Sequence, residues 1–116
     1  MKENVLVQKS IEFSIHAIHY YRWLMSEKRE YVLSKQFIRS ATSIGANIHE
    51  ANFGVSKPDF IAKMQIALKE TSETEYWLIL LKNTELLPPA FISLQAECSE
   101  LKALLISTLK TAKQNE

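Results

Sequence analysis

The chain has very few of the residues that form turns, disulfide bonds and phosphate-binding loops. It contains 2 glycines, 3 prolines and 1 cysteine among 116 residues. So little glycine and proline leaves few sites for β-hairpin turns, which favours a few long helices with short connections. Cys98 cannot form a disulfide bond within the chain, so we expect a reducing compartment, the cytoplasm.

An excess of charge of one sign and long apolar runs are also missing. The 14 basic and 13 acidic side chains give a net charge of +1, so no overall field marks the chain as a binder of nucleic acid, membrane or polyanion. No stretch approaches the roughly 20 apolar residues of a membrane helix, and the N-terminus lacks the apolar core of a signal peptide. We therefore predict a soluble protein that does not contact a membrane.

What the chain does have is the apolar spacing of amphipathic helices. The pattern predicts no strand and four helices, at about residues 4–27, 34–52, 57–87 and 90–113. Short connections between long helices place sequence neighbours antiparallel. The predicted fold is all-α, a single antiparallel up-down-up-down four-helix bundle over residues 1–116.

The helix ends are predicted from capping residues. Ser34 is the candidate N-cap of helix 2, and Ser56 with Asp59 resembles a capping box at the start of helix 3. Pro88 and Pro89 are expected to stop helix 3.

Two helices have more apolar surface than one bundle would bury. Helix 1 has two stripes, one with Val7, Ile11, Ile15, Ile18 and Met25, the other with Leu6, Phe13, Ala17, Tyr20 and Leu24. Helix 3 has a core stripe of Met64, Leu68, Thr71, Glu75, Leu78 and Ile79, and a second stripe of Ala62, Ile66, Trp77 and Leu80 that Glu73 interrupts. The extra apolar surface predicts contact with another subunit.

Helix 2 has an apolar and a polar stripe at the same spacing. The apolar stripe is Phe37, Ala41, Ile44, Ile48 and Ala51, and the adjoining Gly45 predicts the close approach of another helix. The opposite face has Gln36, Arg39, Ser40, Ser43, Asn47 and Glu50. Because Ser and Asn are poor helix formers, this stripe favours a polar contact surface, and the alternative is an ordinary solvated face.

A carboxylate in the core stripe of helix 3 requires a partner. Antiparallel packing of helices 2 and 3 sets Arg39 approximately level with residues 71 to 75. We therefore expect an ion pair between Arg39 and Glu75, which would leave a stranded charge if either partner were removed.

No group of residues indicates catalysis. Glu12, His16 and His19 share one face of helix 1 at a spacing that can hold a metal, but this face lies opposite the apolar arc and no ExxH motif recurs on another helix. His49 is interpreted as a subunit contact or a solvent-exposed group, and Cys98 as a small core residue. With one aspartate and no glycine-rich phosphate loop, we predict no catalytic residue, metal or cofactor, and no enzyme activity.

Several basic residues are candidates for contact with nucleic acid. They are Lys35, Arg39, Lys57 and Lys63, together with Lys28, Arg29 and Lys69. A solvated surface is the simpler interpretation, because acids are interspersed among them. A modest patch repeated around a symmetric oligomer would nevertheless give multivalent, salt-sensitive binding.

One long segment resembles a known family. The stretch QFIRSATSIGANIHEANFGVSKPDFIAKMQIALKETSETEYWL is similar to the bacterial four-helix-bundle proteins encoded within intervening sequences of 23S ribosomal RNA genes. These are also called S23 ribosomal proteins and are similar to the accessory variability determinant of diversity-generating retroelements. The most specific parts are RSATSIGANIHEA, the start of helix 3 and SETEYWL. The family pattern falls on Arg39, Ser40, Ser43, Ile44, Asn47, Glu50, Phe60, Ala67, Glu73 and Glu75.

The resemblance implies an assembly and a partner. It implies a bundle that forms a homopentamer and binds RNA, DNA or a nucleic-acid enzyme. The expected oligomer interface or polar network is Arg39, Ser40, Ser43, Asn47, Glu50, Glu73 and Glu75. The near-neutral charge departs from the retroelement relative, which is basic. The alternative function is a protein-binding scaffold with no nucleic-acid activity.

Overall fold

The described part of the chain is almost entirely helical. The computed structural model describes the backbone of residues 2–114 and the side chains of residues 5–114. Within that range it has no strand, and its elements are α1 (Lys2–Ser26), α2 (Leu33–Asn52), α3 (Lys57–Asn83), a 3₁₀ turn (Pro89–Phe91) and α4 (Ser93–Gln114). The all-α, four-helix prediction is confirmed.

Neighbouring helices run antiparallel. Arg39 near the start of α2 pairs with Glu73 late in α3, whereas Glu50 near the end of α2 pairs with Lys63 early in α3. Each helix packs against its neighbour in sequence, and α4 closes the bundle against α1. The result is a rod of 47 × 21 × 21 Å, as expected for long helices joined by short connections.

The apolar stripes meet in one continuous core. Burial identifies the stripe of α1 that begins at Leu6 as the core stripe, because all five of its members are buried. The whole predicted stripe of α2 is buried as well. The buried apolar residues are Leu6, Phe13, Ala17, Tyr20, Leu24, Phe37, Ala41, Ile44, Ile48, Ala51, Ile61, Met64, Ala67, Leu78, Leu81, Leu87, Leu94, Cys98, Leu101, Leu105 and Leu109.

Gly45 lies where α1 packs closely against α2, as its position in the sequence predicted. A Cβ atom added at Gly45 would lie 3.3 Å from the Ser14 Oγ and 3.4 Å from the Ser10 Oγ. The missing side chain therefore allows two serines of α1 to pack against the backbone of α2. This contact offsets the helix propensity that glycine loses.

A glutamate, and not the predicted serine, caps the start of α2. The Glu30 carboxylate accepts hydrogen bonds from the backbone N–H groups of Val32, Leu33 and Ser34 at 3.3, 3.0 and 2.7 Å. Ser34 lies inside the helix and its hydroxyl donates to the Glu30 carbonyl, so the prediction of Ser34 as N-cap was wrong. At α3 the predicted cap is confirmed, because the Asp59 N–H donates to the Ser56 Oγ at 3.2 Å.

Helix α3 ends earlier than its apolar pattern predicted. It stops at Asn83, not near residue 87, because Glu85 adopts a left-handed backbone with φ 64° and the Leu86 N–H donates to the Leu81 carbonyl at 2.8 Å. This is the Schellman type of helix end. Pro89 starts the 3₁₀ turn, so α4 begins at Ser93 and not near residue 90.

Candidate functional site

The boundary between α2 and α3 is a polar seam. At its outer edge the Arg39 guanidinium donates to the Glu73 carboxylate at 2.8 Å, and the Trp77 Nε1–H donates to the same oxygen at 3.1 Å. The Gln36 side-chain carbonyl accepts from Arg39 at 3.4 Å. The two helices are therefore joined here by a charge-assisted network rather than by an isolated surface ion pair.

Ser40 is part of the core, not of the outer polar face. Its side chain is fully buried, and the Thr74 hydroxyl of α3 donates to the Ser40 Oγ at 2.9 Å. Ser40 in turn donates to the Phe37 carbonyl at 3.1 Å. The sequence pattern placed Ser40 on the face of α2 opposite the apolar stripe, but this part of the face is covered by α3. Burial is tolerated because the Ser40 hydroxyl both accepts and donates a hydrogen bond within the bundle.

The middle of the seam is formed by short groups that bond to their own helix. The Ser43 hydroxyl donates to the Arg39 carbonyl at 2.7 Å and the Asn47 amide donates to the Ser43 carbonyl at 2.8 Å. Both side chains are half-buried. At the far end Lys63 of α3 pairs with Glu50 at 3.1 Å. The seam thus runs along α2, and each of its members named here contacts either α3 or its own backbone.

One buried oxygen on this side of α3 has no hydrogen-bond partner. Among the described residues, the Glu70 Oε1 is the one buried side-chain oxygen or nitrogen without a donor or acceptor. Glu70 precedes Glu73 and Thr74 by about one helical turn and so lies along the same side of α3. The Thr74 hydroxyl bonds to the carbonyl of Glu70, at 2.8 Å. A buried carboxylate oxygen normally has a donor.

The expected pair between Arg39 and Glu75 is not formed. Glu75 instead accepts from Lys102 of α4 at 3.0 Å, and Arg39 pairs with Glu73. Residues two positions apart in a helix are rotated by about 200° about its axis, so Glu73 and Glu75 point to nearly opposite sides of α3 and meet different helices. Glu75 therefore joins α3 to α4 and does not belong to the α2–α3 seam.

The second apolar stripe of α1 is only partly covered by the bundle. Ile11 and Ile15 are 48% and 52% exposed, and Val7 and Ile18 beside them are half-buried. We call Val7, Ile11, Ile15 and Ile18 the α1 outer face. Ile66 and Tyr76 are similarly exposed on α3. Within residues 5–114, the exposed aliphatic side chains of α1 are Val5, Ile11 and Ile15.

The four basic residues predicted for nucleic-acid contact do not form one patch. Lys35 is in the first turn of α2 and Lys57 at the start of α3, so the length of α2, about 30 Å, separates them. Arg39 and Lys63 both lie along the seam, where Glu73 and Glu50 neutralise them. The sequence pattern identified accessible cations, but the fold distributes them along the bundle.

His16 and Cys98 both have structural contacts within the bundle. His16, which the sequence placed away from the apolar surface, bonds through its Nδ1 to the Glu97 carboxylate at 2.8 Å and lies against Phe91. Burial raises the pKa of the Cys98 thiol to about 12. Within residues 5–114 no three His, Cys, Asp or Glu side chains are grouped so as to hold a metal ion.

Sequence reasoning missed three members of these contacts. They are Thr74, Lys102 and the capping Glu30. Thr74 follows Glu70 by one helical turn and Glu30 precedes the helix it caps, but neither position is distinctive without the neighbouring helix. In the sequence Lys102 looks like any surface lysine. Only the packing of α4 on α3 brings it to Glu75.

Fold and surfaces together define an antiparallel four-helix-bundle protein with a polar seam on one side and a partly exposed aliphatic face on another. The sequence profile of the 23S rRNA-intervening sequence proteins matches residues 2–107. The chain therefore belongs to the 23S rRNA-intervening sequence protein family, as its resemblance predicted.

A solved structure agrees with this assignment. A protein of unknown function from the S23 ribosomal protein family of Bacteroides thetaiotaomicron VPI-5482, determined at 1.70 Å resolution, is 49% identical to this chain. It superposes with a TM-score of 0.91 over 95% of this chain and 99% of its own. Among curated proteins, none matches this chain significantly. In the described residues, no helix has the length and apolar character that crossing a bilayer requires.

Proposed function

We propose that this protein is a non-catalytic helical protein that assembles with copies of itself, as a homopentamer, and binds nucleic acid in the assembled form. The observation that carries the proposal is the α1 outer face. Ile11 and Ile15 are half-exposed although α1 already has a complete core stripe. A helix that packs only within its own bundle needs one apolar stripe, so the second favours a further helix from another copy.

The polar seam is the second surface of the proposed assembly. A ring of identical subunits needs two different faces on each copy, because each contact is head-to-tail. The seam has half-buried Ser43 and Asn47, short groups that allow close packing. Five copies is the number that the family resemblance implies.

Multi-angle light scattering tests the assembly. Ile15→Asp places a charge in the α1 outer face, and we expect it to convert the oligomer to monomer while the helical circular dichroism stays unchanged. The matched control is Ile106→Asp on α4, since Ile106 is 48% exposed and lies outside both proposed faces. Asn47→Leu should alter assembly through the seam. A monomeric wild-type chain at micromolar concentration would contradict the proposal.

We propose that nucleic-acid binding depends on the repetition of the same cations around the oligomer. The chain has a net charge of only +1, but a ring presents each exposed cation several times and so gains from multivalency. Gel-shift titration of a structured RNA against the oligomer, over a salt series, is the test. Binding should weaken steeply as salt rises, because phosphate contacts release counterions. Absence of binding at low salt would rule this part of the proposal out.

The contacts of the reactive groups support a non-catalytic role. The Cys98 thiol is fully buried and its pKa is raised to about 12, so it is not a nucleophile near neutral pH. His16 is held by Glu97 and Phe91. A single buried thiol also fits the reducing cytoplasm, where we propose that the protein works.

A protein-binding scaffold is the second candidate. The observation that favours it is the α2–α3 loop, where Phe53 and Val55 are 75% and 96% exposed. Apolar side chains this exposed on a short loop are suited to inserting into a pocket of another protein. This candidate replaces the first if the oligomer binds no RNA at low salt and Phe53→Ser leaves the oligomer and its stability unchanged.

A further inference from the structure

The connection between α1 and α2 combines exposed positive charge with an exposed aromatic ring. Lys28, Arg29 and Lys35 lie within eight residues and all three are exposed. Tyr31 between them is 48% exposed and Val32 is 72% exposed. We call Lys28, Arg29, Tyr31 and Lys35 the basic tip. We propose that the basic tip is the surface that holds single-stranded nucleic acid, an inference that rests on the proposed nucleic-acid function.

The positive charge of the tip is not neutralised by ion pairs. None of Lys28, Arg29 and Lys35 forms an ion pair with a side chain that the structure describes. The Lys28 ammonium lies 5.6 Å from the centre of the Trp23 ring, a contact that leaves its charge in place. The acid closest in sequence to Arg29, Glu30, directs its carboxylate to the backbone N–H groups at the start of α2. Glu27 is the remaining acid of the connection. The tip thus differs from Arg39 and Lys63, which already have carboxylate partners.

Arg29 occupies a backbone conformation that favours glycine. Its φ is 51°, and the Glu30 N–H closes the turn by donating to the Leu24 carbonyl at 3.0 Å. Glycine is the usual residue at a left-handed position after a helix, since it has no Cβ atom to strain. An arginine here weakens the turn and gains no internal partner.

The aromatic ring determines the class of ligand. Unstacked bases pack on exposed aromatic faces while basic side chains follow the phosphates, which is the common chemistry of single-strand binding. Tyr31 can supply the stacking face, and Arg29 and Lys35 lie on either side of it in sequence. An anionic membrane would also attract the cations, but insertion needs more apolar surface than Tyr31 and Val32 provide. The combination therefore favours a single strand.

The same end of the bundle contains a matched control. Glu85 adopts the same left-handed backbone, with φ 64°, at the end of α3. The Tyr20 hydroxyl of α1 donates to the Leu86 carbonyl at 2.6 Å, which places this turn beside the end of α1. Glu85→Gly and Arg29→Gly therefore relieve the same backbone strain at one end of the bundle, but they remove charges of opposite sign.

The test is fluorescence anisotropy of a labelled oligouridylate with the full-length oligomer across a salt series. We expect Arg29→Gly to keep or raise the urea midpoint but to weaken binding by about threefold or more and to reduce the salt dependence. Tyr31→Ala should weaken binding and leave the salt dependence unchanged, since stacking releases few counterions. Glu85→Gly should keep or raise stability and bind as tightly as the wild type or more tightly. Lys110→Ala, an exposed lysine near the end of α4 at the opposite end of the bundle, should bind like the wild type.

Each contrary result has a distinct meaning. If the wild type binds and Arg29→Gly and Tyr31→Ala bind equally well, the basic tip is not the site, although the proposed function stands. If the wild type binds the structured RNA at low salt but not the oligouridylate, the inference is overturned and the proposed function stands; if it binds neither, the proposed nucleic-acid function fails. If the tip variants lose binding to phosphatidylserine vesicles but retain RNA binding, the tip is a membrane contact and the inference is overturned.

Discussion

The Thr74 hydroxyl on α3 donates to the Ser40 hydroxyl on α2 at 2.9 Å, with both side chains fully buried. This is a side chain to side chain hydrogen bond between helices in an otherwise apolar core. Because the Ser40 hydroxyl donates its own hydrogen bond to the Phe37 carbonyl, the pair ties α3 to the backbone of α2. Its geometry fixes how α2 and α3 face each other beneath the Arg39–Glu73 ion pair.

The hydrogen bond between Thr74 and Ser40 should appear as energetic coupling between the two residues in a double-variant cycle. Thr74→Val leaves the buried Ser40 oxygen without its donor, so we expect the free energy of unfolding to fall by about 1–2 kcal/mol. Ser40→Ala should cost less, because the Thr74 hydroxyl can still donate to the Glu70 carbonyl, and the double variant should lose less than the sum of the two. Urea unfolding of the three variants measures this cycle. Thr42→Val is the control, since Thr42 is only half-buried and bonds to its own helix; strict additivity would contradict a coupled pair.

The close packing at Gly45 should tolerate one methyl group but not a larger side chain. Alanine would gain about 1 kcal/mol of helix propensity, and its Cβ would meet the Ser14 Oγ at 3.3 Å, an atom that can move. We expect Gly45→Ala to change the unfolding free energy by less than about 1 kcal/mol. Gly45→Leu should separate α1 from α2 and lower it by about 2 kcal/mol or more. Thermal unfolding compares both with Ala46→Leu at the neighbouring exposed position; equal effects of the two leucines would argue against tight packing.

The sequence predicted the helices and their buried faces because apolar periodicity records burial directly. Phe37, Ala41, Ile44, Ile48 and Ala51 were predicted as one stripe, and every one of them is buried. On α1 the sequence offered two stripes without distinguishing them. Only the packing of the other helices shows that Phe13 and Tyr20 face inward and that Ile11 and Ile15 do not.

The polar contacts were predicted less well, because they depend on the rotation of one helix relative to another. Glu73 and Glu75 are both near Arg39 in an antiparallel register, but a rotation of about 200° separates them on α3. Their true partners, Arg39 and Lys102, lie on different helices. The helix ends were also predicted inaccurately. The Glu30 cap and the left-handed conformation of Glu85 depend on backbone geometry, and no capping motif in the sequence indicates them.

The Glu30 cap should stabilise the folded protein as much as a conventional N-cap residue does. Glu30→Ala leaves the first N–H groups of α2 without an acceptor, and we expect the unfolding free energy to fall by about 1–2 kcal/mol. The control is Glu27→Ala, which removes an exposed carboxylate of the same connection and should have little effect. Chemical denaturation of the two variants gives the comparison. Equal losses would mean that charge in the connection, and not the cap, stabilises the start of α2.

Cys98 should make folding stability fall at high pH. Burial, then the nearby Glu75 carboxylate, raises the pKa of the thiol from 9.0 to about 12 in the folded state. Above pH 9 the unfolded chain therefore loses this proton while the folded chain keeps it, so the unfolded state binds fewer protons and stability declines as pH rises toward 12. At pH 10 the loss from this group should be about 1 kcal/mol relative to pH 7.5.

Comparing wild type with Cys98→Ala isolates this contribution of the thiol. The buried Tyr20 hydroxyl also has a raised pKa, so it too lowers folding stability as pH rises. Its contribution cancels in the comparison because Tyr20 is present in both proteins. The unfolding free energy, measured in urea at pH 7.5 and pH 10, should therefore fall less for Cys98→Ala than for the wild type, even though the variant starts lower because of its cavity. Parallel declines would mean that the thiol ionises as readily in the folded protein as in the unfolded chain. Slow alkylation of the folded protein at pH 9 offers an independent check, since a buried neutral thiol is a poor nucleophile.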